Sequence, residues 1–172
     1  RIPPSSANPM VEELLLGKPR IVILNKEDLA DPGMTNALES YYKRKGVAAV
    51  SMSCGNGKDK KKFLRLIKEA AGPMLEKWKR RGLKTRSARI MILGIPNVGK
   101  STLINFISGT AAARTANTPG HTRGKQWVRL SQGLDLLDTP GVLWPKFEDQ
   151  VAALRLAATG AIAGDVFDAD TV

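Results

Sequence analysis

The sequence predicts an α/β fold, a three-layer sandwich around a mainly parallel sheet, and three observations carry that expectation. Short β-branched runs alternate with helical segments along the 172 residues. The stretch GIPNVGKS at 94–101 falls where a strand passes into a helix. NKED at 25–28 lies well before it, although in nucleotide-binding chains such a string ordinarily follows the glycine loop. With 42% hydrophobic residues, a chain of this length can bury one ordinary core, so a single domain over 1–172 is expected.

Each element has its own signal. Asn8-Pro9 joins an N-cap residue to proline at the first helical position, predicting a helix through MVEELLL that stops at Gly17. RIVILNK is a short β-branched run backed by turn residues, which predicts a buried parallel strand. TNALESYYKRK at 35–45 predicts a helix ended by Gly46, and VAAVSMS a second strand. Over 60–81, Phe63, Ile67, Ala70, Met74 and Trp78 recur on one helical face and basic residues fill the other, with a kink or a division expected at Gly72-Pro73. A polar linker beginning at Arg80-Arg81-Gly82 leads to a third strand, ARIMILG, then to the glycine loop and the helix STLINFIS, ended by Gly109. Residues 110–125 show no periodicity and read as a loop. KQWVRLS and LDLLDTPG predict two strands joined at Gln132-Gly133, and EDQVAALRLAATGAI predicts a closing helix.

Charge and composition narrow the function. The net charge is +11, and residues 58–89 alone hold 13 Lys/Arg against Asp59, Glu69 and Glu76, while the other 140 residues are nearly balanced. So localised a basic strip predicts a polyanionic partner. The single cysteine, Cys54, excludes an internal disulfide, and no Cys/His cluster has zinc spacing, which favours a reducing compartment. Apolar runs such as LLL at 14–16 and IMILGI at 90–95 are far shorter than the roughly 18–20 residues of a membrane span. RIPPSSANP lacks a signal-peptide core. A soluble intracellular protein, monomeric, is expected.

GIPNVGKS fits the pattern G-x-x-x-x-G-K-[ST], with Gly94, Gly99, Lys100 and Ser101 in place. Asn97, Val98, Gly99, Lys100, Ser101 and Thr102 are the expected phosphate-binding set: loop N–H groups surround the β-phosphate, Lys100 reaches the β/γ oxygens, and Ser101 is a Mg²⁺ ligand. DTPG at 138–141 closes an apolar strand, so Asp138 is expected to hold Mg²⁺ through water and the Gly141 N–H to meet the γ-phosphate. Thr122, with Thr118 as its rival, is the candidate second hydroxyl ligand. In NKED, the Asp28 carboxylate suits a base with two adjacent N–H donors, which guanine has and adenine lacks. Asn25 and Lys26 orient that loop and cover the ring. SMSCGNG at 51–57 has the pattern of a second base loop, placing Ser51, Met52 and Ser53 near the guanine carbonyl.

The resulting order is base loop, base loop, phosphate loop, switch loop, metal loop, a rotation of the usual order in the P-loop NTPase (Ras-like GTPase) sandwich, with 58–89 as the joint. The chain resembles the circularly permuted GTPases, most closely the ribosome biogenesis GTPase A (YlqF-type) family. RIPPSSANP, ILNKEDLAD, GIPNVGKSTLIN, TPGHTRGKQWV, LLDTPGVLWPKFED and LRLAATGAI carry the resemblance. It implies a bacterial cytoplasmic or mitochondrial-matrix protein that binds GTP or GDP with Mg²⁺, docks on the assembling large ribosomal subunit or its precursor, with rRNA on strip 58–89, and hydrolyses GTP as maturation completes. Family members begin earlier, with a helical stretch and a strand, and continue into a C-terminal helical RNA-binding domain, so an incomplete sheet is expected.

Lys100, Thr122 and Gly141 are the residues expected to serve hydrolysis. Val142 stands where many GTPases place a water-positioning glutamine, so intrinsic turnover is expected to be slow and stimulated by the ribosomal partner. Asn97 resembles the loop asparagine of potassium-stimulated GTPases, which makes K⁺ a candidate second cation. His121 reads as a solvated loop histidine, and Trp78, Trp127 and Trp144 as packing or interface residues. A GTP-sensing rRNA-binding module with incidental hydrolysis is the alternative. A P-loop kinase is the third reading, against which Asp28 counts.

Overall fold

The computed structural model describes residues 11, 15, 17–83, 87–109, 126–130, 133–142 and 150–161. The helix expected after Asn8-Pro9, the loop bearing Thr118, His121 and Thr122, and Trp144 lie outside them. In chain order the elements are β1 (Ile21–Asn25), a 3-10 turn (Glu27–Leu29), α1 (Pro32–Arg44), β2 (Ala48–Met52), α2 (Gly57–Arg80), β3 (Ala88–Met91), α3 (Lys100–Ser108), β4 (Gln126–Leu130), β5 (Leu134–Asp138) and α4 (Gln150–Ala158). All five expected strands are present among the described residues.

Helix boundaries show what local chemistry overrides. α1 starts at Pro32, before the expected Thr35, because Asp31 caps it: its carboxylate accepts the Met34 N–H at 2.7 Å and Pro32 has no N–H to lose. α2 runs unbroken from Gly57 to Arg80 with Pro73 inside it. Proline's missing N–H falls on an exposed stretch there, with Glu69 and Pro73 both at the surface. Phe63 and Ile67 are buried as expected, but Ala71 and Leu75 continue the stripe in place of Ala70 and Met74. The inward row is therefore a strict i, i+4 series, and beyond Pro73 most of the helix faces water, with Met74 exposed.

Two sheets form. β1 pairs with β2 in parallel, Ile21 opposite Ala48 through Asn25 opposite Met52. In the other sheet β5 lies between β3, which is parallel to it, and β4, which is antiparallel. No strand among the described residues joins the sheets, yet one core serves both: Val50 and Met52 from β2 lie in the same cluster as Phe63 and Ile67 of α2, Leu103, Ile104 and Ile107 of α3, Val128, Leu134 and Leu136. Met52, Ile104 and Leu136 are fully enclosed, each contributing about 1.5–3 kcal/mol through burial. No described helix is long and apolar enough to cross a membrane.

Candidate nucleotide-binding site

Because Asn25 and Met52 are register partners in a parallel pair, the chain leaves both strands at the same edge, and the two base loops start side by side. Lys26 turns β1 into the 3-10 turn through a left-handed conformation (φ 63°), which brings Asp28 outward. Ser53 holds it: the Ser53 hydroxyl donates to Asp28 Oδ1 at 2.7 Å, and the Ser53 N–H donates to Asp59 Oδ2 at 3.1 Å, in the first turn of α2. Asn56 caps the same turn by accepting the Lys58 N–H at 3.1 Å. The Cys54 thiol lies 3.7 Å from Asn25 Oδ1, and burial, then Asp28 and Asp59, push its pKa up against an opposing Lys26.

The three residues of the string SMS make different contacts. Only Ser53 reaches Asp28; the Ser51 N–H donates to Glu39 Oε1 at 2.6 Å and the Met52 side chain is sealed in the core, so both support the loop from below. The strand end explains the split: Ser51 and Met52 are held inside β2, whereas Ser53 lies just past it, where the loop begins.

On the other side, β3 runs into the glycine loop, and α3 begins at Lys100. Lys100 folds back over its own loop, Nζ donating to the carbonyls of Gly94 (3.0 Å) and Ile95 (2.8 Å). Burial lowers its pKa, with Asp138 opposing the shift. Ser101 Oγ donates to Asp138 Oδ2 at 3.0 Å. Asp138 is 1% exposed, and its Oδ1 is buried without a hydrogen-bond partner. A carboxylate oxygen left so costs roughly 1–3 kcal/mol or more, which a cation recovers. Ser101 and Asp138 are hard oxygen donors, and Mg²⁺ characteristically takes one or two such groups plus phosphate oxygens and waters, so the residues fit that ion. The described residues contain no cluster of three His, Cys, Asp or Glu side chains that could hold a metal alone, and a site completed by phosphate needs none.

The metal loop is strapped to the phosphate loop. The Val142 N–H donates to the Gly94 carbonyl at 3.1 Å and Thr139 Oγ1 to the Ile92 carbonyl at 2.6 Å. A Cβ on Gly141 would stand 2.6 Å from Pro96 Cα, so only glycine permits this approach. Thr102 is exposed one residue beyond Ser101.

One contact unites the halves: Asn25 Nδ2 donates to the Val98 carbonyl at 2.8 Å across 73 residues of sequence. Gly99 (φ 96°) makes room for it, since a Cβ there would lie 2.5 Å from Asn25 Nδ2. The structure thus brings Asn25, Asp28 and Ser53 to the same edge as Val98, Gly99, Lys100, Ser101, Asp138 and Gly141. Sequence reasoning missed Asp59, Glu39, Thr139 and Gly160. Of these only Asp59 left a signal, as the acid three residues after the cap Asn56.

Residues 89–167 match a family described as 50S ribosome-binding GTPase. A protein named Ribosome biogenesis GTPase A from Bacillus licheniformis is 46% identical over 172 residues, covering 100% of this chain and 61% of the relative. Mitochondrial ribosome-associated GTPase 1 from Ictalurus punctatus is 36% identical over 100% of this chain and 56% of its own length. A crystal structure of GNP-bound YlqF from T. maritima superposes with a TM-score of 0.66 at 26% identity, covering 98% of this chain and 60% of that one. A GDP-bound structure of the same protein gives 0.58 at 27% identity, over 87% and 54%. The chain therefore spans about three fifths of the length of the Bacillus relative. Taken with the permuted order of its loops and their convergence, these likenesses show that the chain belongs to the ribosome biogenesis GTPase A family of circularly permuted GTPases.

Proposed function

We propose that the protein is a GTP-binding and GTP-hydrolysing switch acting in late assembly of the large ribosomal subunit, slow alone and stimulated by its ribosomal partner. The observation that supports the reading is the Asn25–Val98 bond, which ties the loop bearing Asp28 to the glycine loop. Asp28, oriented by Ser53, accepts the two N–H donors of guanine and leaves a desolvated carboxylate unpaired against adenine. The loop N–H groups from Asn97 to Thr102 receive the phosphates, and Lys100 exchanges its two loop carbonyls for β/γ oxygens. Mg²⁺ supplies charge neutralisation on the transferring phosphoryl group; Ser101 and Asp138 hold it, with Thr122 as the proposed further hydroxyl. The Gly141 N–H meets the γ-phosphate. K⁺ is the proposed second cation, and since Asn97 Nδ2 is engaged with Gly160, ligation falls to the amide oxygen.

The names of the relatives support a ribosomal partner, in the bacterial cytoplasm or, as the alternative, the mitochondrial matrix. Lys58, Lys61, Lys62, Arg65 and Lys68 are exposed along α2, and this strip is the proposed rRNA contact. Its affinity should fall steeply with added salt. Val142, 45% exposed and unable to orient water through its side chain, also favours the second reading, a GTP-sensing rRNA-binding module with incidental hydrolysis. GTP turnover measured with and without purified large subunits separates the two: stimulation of about 10-fold or more is expected of the switch, and none of the sensing module.

A further inference from the structure

α4 is joined to the phosphate loop by two independent ties. One is apolar: Leu156 and Ala161, both enclosed, pack with Ile95 and against Val98. The other is polar, Asn97 Nδ2 donating to the Gly160 carbonyl at 2.6 Å. The end of α4 is built to present that carbonyl. Gly160 takes the left-handed conformation (φ 68°), its N–H bonds the Ala157 carbonyl at 2.8 Å, and the Ala161 N–H bonds the Leu156 carbonyl at 2.9 Å. This is a Schellman cap, complete with its apolar contact between Leu156 and Ala161. Asn97 is itself left-handed (φ 55°), a conformation asparagine tolerates better than most side chains but still at a cost.

We propose that Asn97 is a positioning residue, a clasp by which the phosphate loop sets the docking of α4 and so passes the state of the nucleotide to that helix. The inference rests on the reading that loop 94–101 holds phosphate. Phosphate bound by the loop N–H groups fixes the peptide planes on either side of Asn97, and with them the direction of its side chain. Because interfaces of packed apolar residues switch between discrete arrangements more readily than they deform, a small turn at Asn97 becomes a changed seat for Leu156 and Ala161. The clasp uses the amide nitrogen, whereas a K⁺ ligand uses the amide oxygen, so the two roles are separable by chemistry.

Asn97→Asp separates them, since it keeps an oxygen for a cation and sets an acceptor against the Gly160 carbonyl. Amide hydrogen exchange over residues 151–161 is measured for wild type, Asn97→Asp and Gly160→Ala, each free, with GDP, and with a non-hydrolysable GTP analogue. Wild type should exchange differently in the GDP and GTP-analogue states. In Asn97→Asp the segment should exchange about 10-fold faster and the two nucleotide states should coincide. Gly160→Ala, which puts a Cβ on a left-handed residue (φ 68°) and so strains the cap that presents the carbonyl, should act in the same direction, and the double variant should be no worse than the stronger single one. Unchanged exchange in Asn97→Asp, or fully additive effects in the double variant, overturns the clasp; loss of K⁺ stimulation with unchanged α4 exchange makes Asn97 a cation ligand only. The nucleotide-free arm tests the physical tie even if no nucleotide binds, whereas failure of every variant and wild type to bind GTP would count against the proposed function instead.

Discussion

The base-binding half and the phosphate-binding half differ in how finished they are. In the first, Asp28 is held by Ser53, Ser53 by Asp59, and Asn25 by the Val98 carbonyl, so the polar groups that would read the base are already fixed. In the second, Lys100 rests on carbonyls of its own loop and Asp138 keeps a buried oxygen without a partner. On the proposed function, selectivity for the base rests on groups the fold already holds, whereas charge neutralisation is completed by the ligand. A rigid reader loses little entropy on binding, and an unsatisfied carboxylate raises the free energy of the empty site relative to the loaded one.

The largest break in this comparison is Lys100→Ala. Charge-assisted hydrogen bonds contribute about 1.5–3 kcal/mol each, so loss of the contacts to the β- and γ-phosphates should weaken GTP binding by about 100-fold or more, and loss of the β-phosphate contact alone should weaken GDP binding by about 10-fold or more, measured by isothermal titration. Asp138→Asn should move two quantities in opposite directions. Nucleotide affinity in Mg²⁺ should fall about 10–100-fold, yet the protein without nucleotide should melt a few degrees higher, because a carboxylate oxygen buried without a hydrogen-bond partner is replaced by a neutral amide. A lower melting temperature in the empty variant would contradict the reading of Asp138 as a poised ligand.

Ser53→Ala sharpens the comparison from the other side. It frees Asp28 without touching the phosphate loop, so GTP affinity should fall about 3–10-fold and discrimination against ITP, which lacks the guanine 2-amino group, should shrink. The melting temperature should hardly change, since Asp28 is exposed. Glu39 gives the smallest effect. Burial pushes its pKa up, but hydrogen bonding to Ser51 and the Lys62 charge outweigh this and leave it lowered. Its stabilising contribution is therefore complete above its ordinary value near 4.5 and disappears as pH falls through the lower folded value. Glu39→Gln should be slightly less stable than wild type at neutral pH, and the gap should close on acidification, as read from urea midpoints across pH.

Much of this was legible in the residues, and the reasons differ from part to part. The five strands were plain because they are short, largely apolar runs bounded by turn residues, as in IVILN and AAVSM. The glycine loop and NKED were plain because their chemistry requires fixed residue types at fixed spacing. What escaped were tertiary facts. Which of Ser51 and Ser53 contacts Asp28 depends on where β2 ends, and the cap of α4 meets Asn97 through the Gly160 carbonyl only after folding. The continuity of α2 through Pro73 escaped because it depends on the exposure of that stretch in the folded protein, which local sequence does not show.

The most direct measurement is a titration of Asp28→Asn with GTP and with xanthosine triphosphate. A purine carrying a 2-oxo group suits an amide where guanine suits a carboxylate, so the preference should reverse, with GTP affinity falling at least 100-fold and xanthosine triphosphate gaining the advantage. An Asp28→Asn protein that binds GTP as tightly and as selectively as wild type would contradict the placement of the purine between the loops at Asn25 and Ser53.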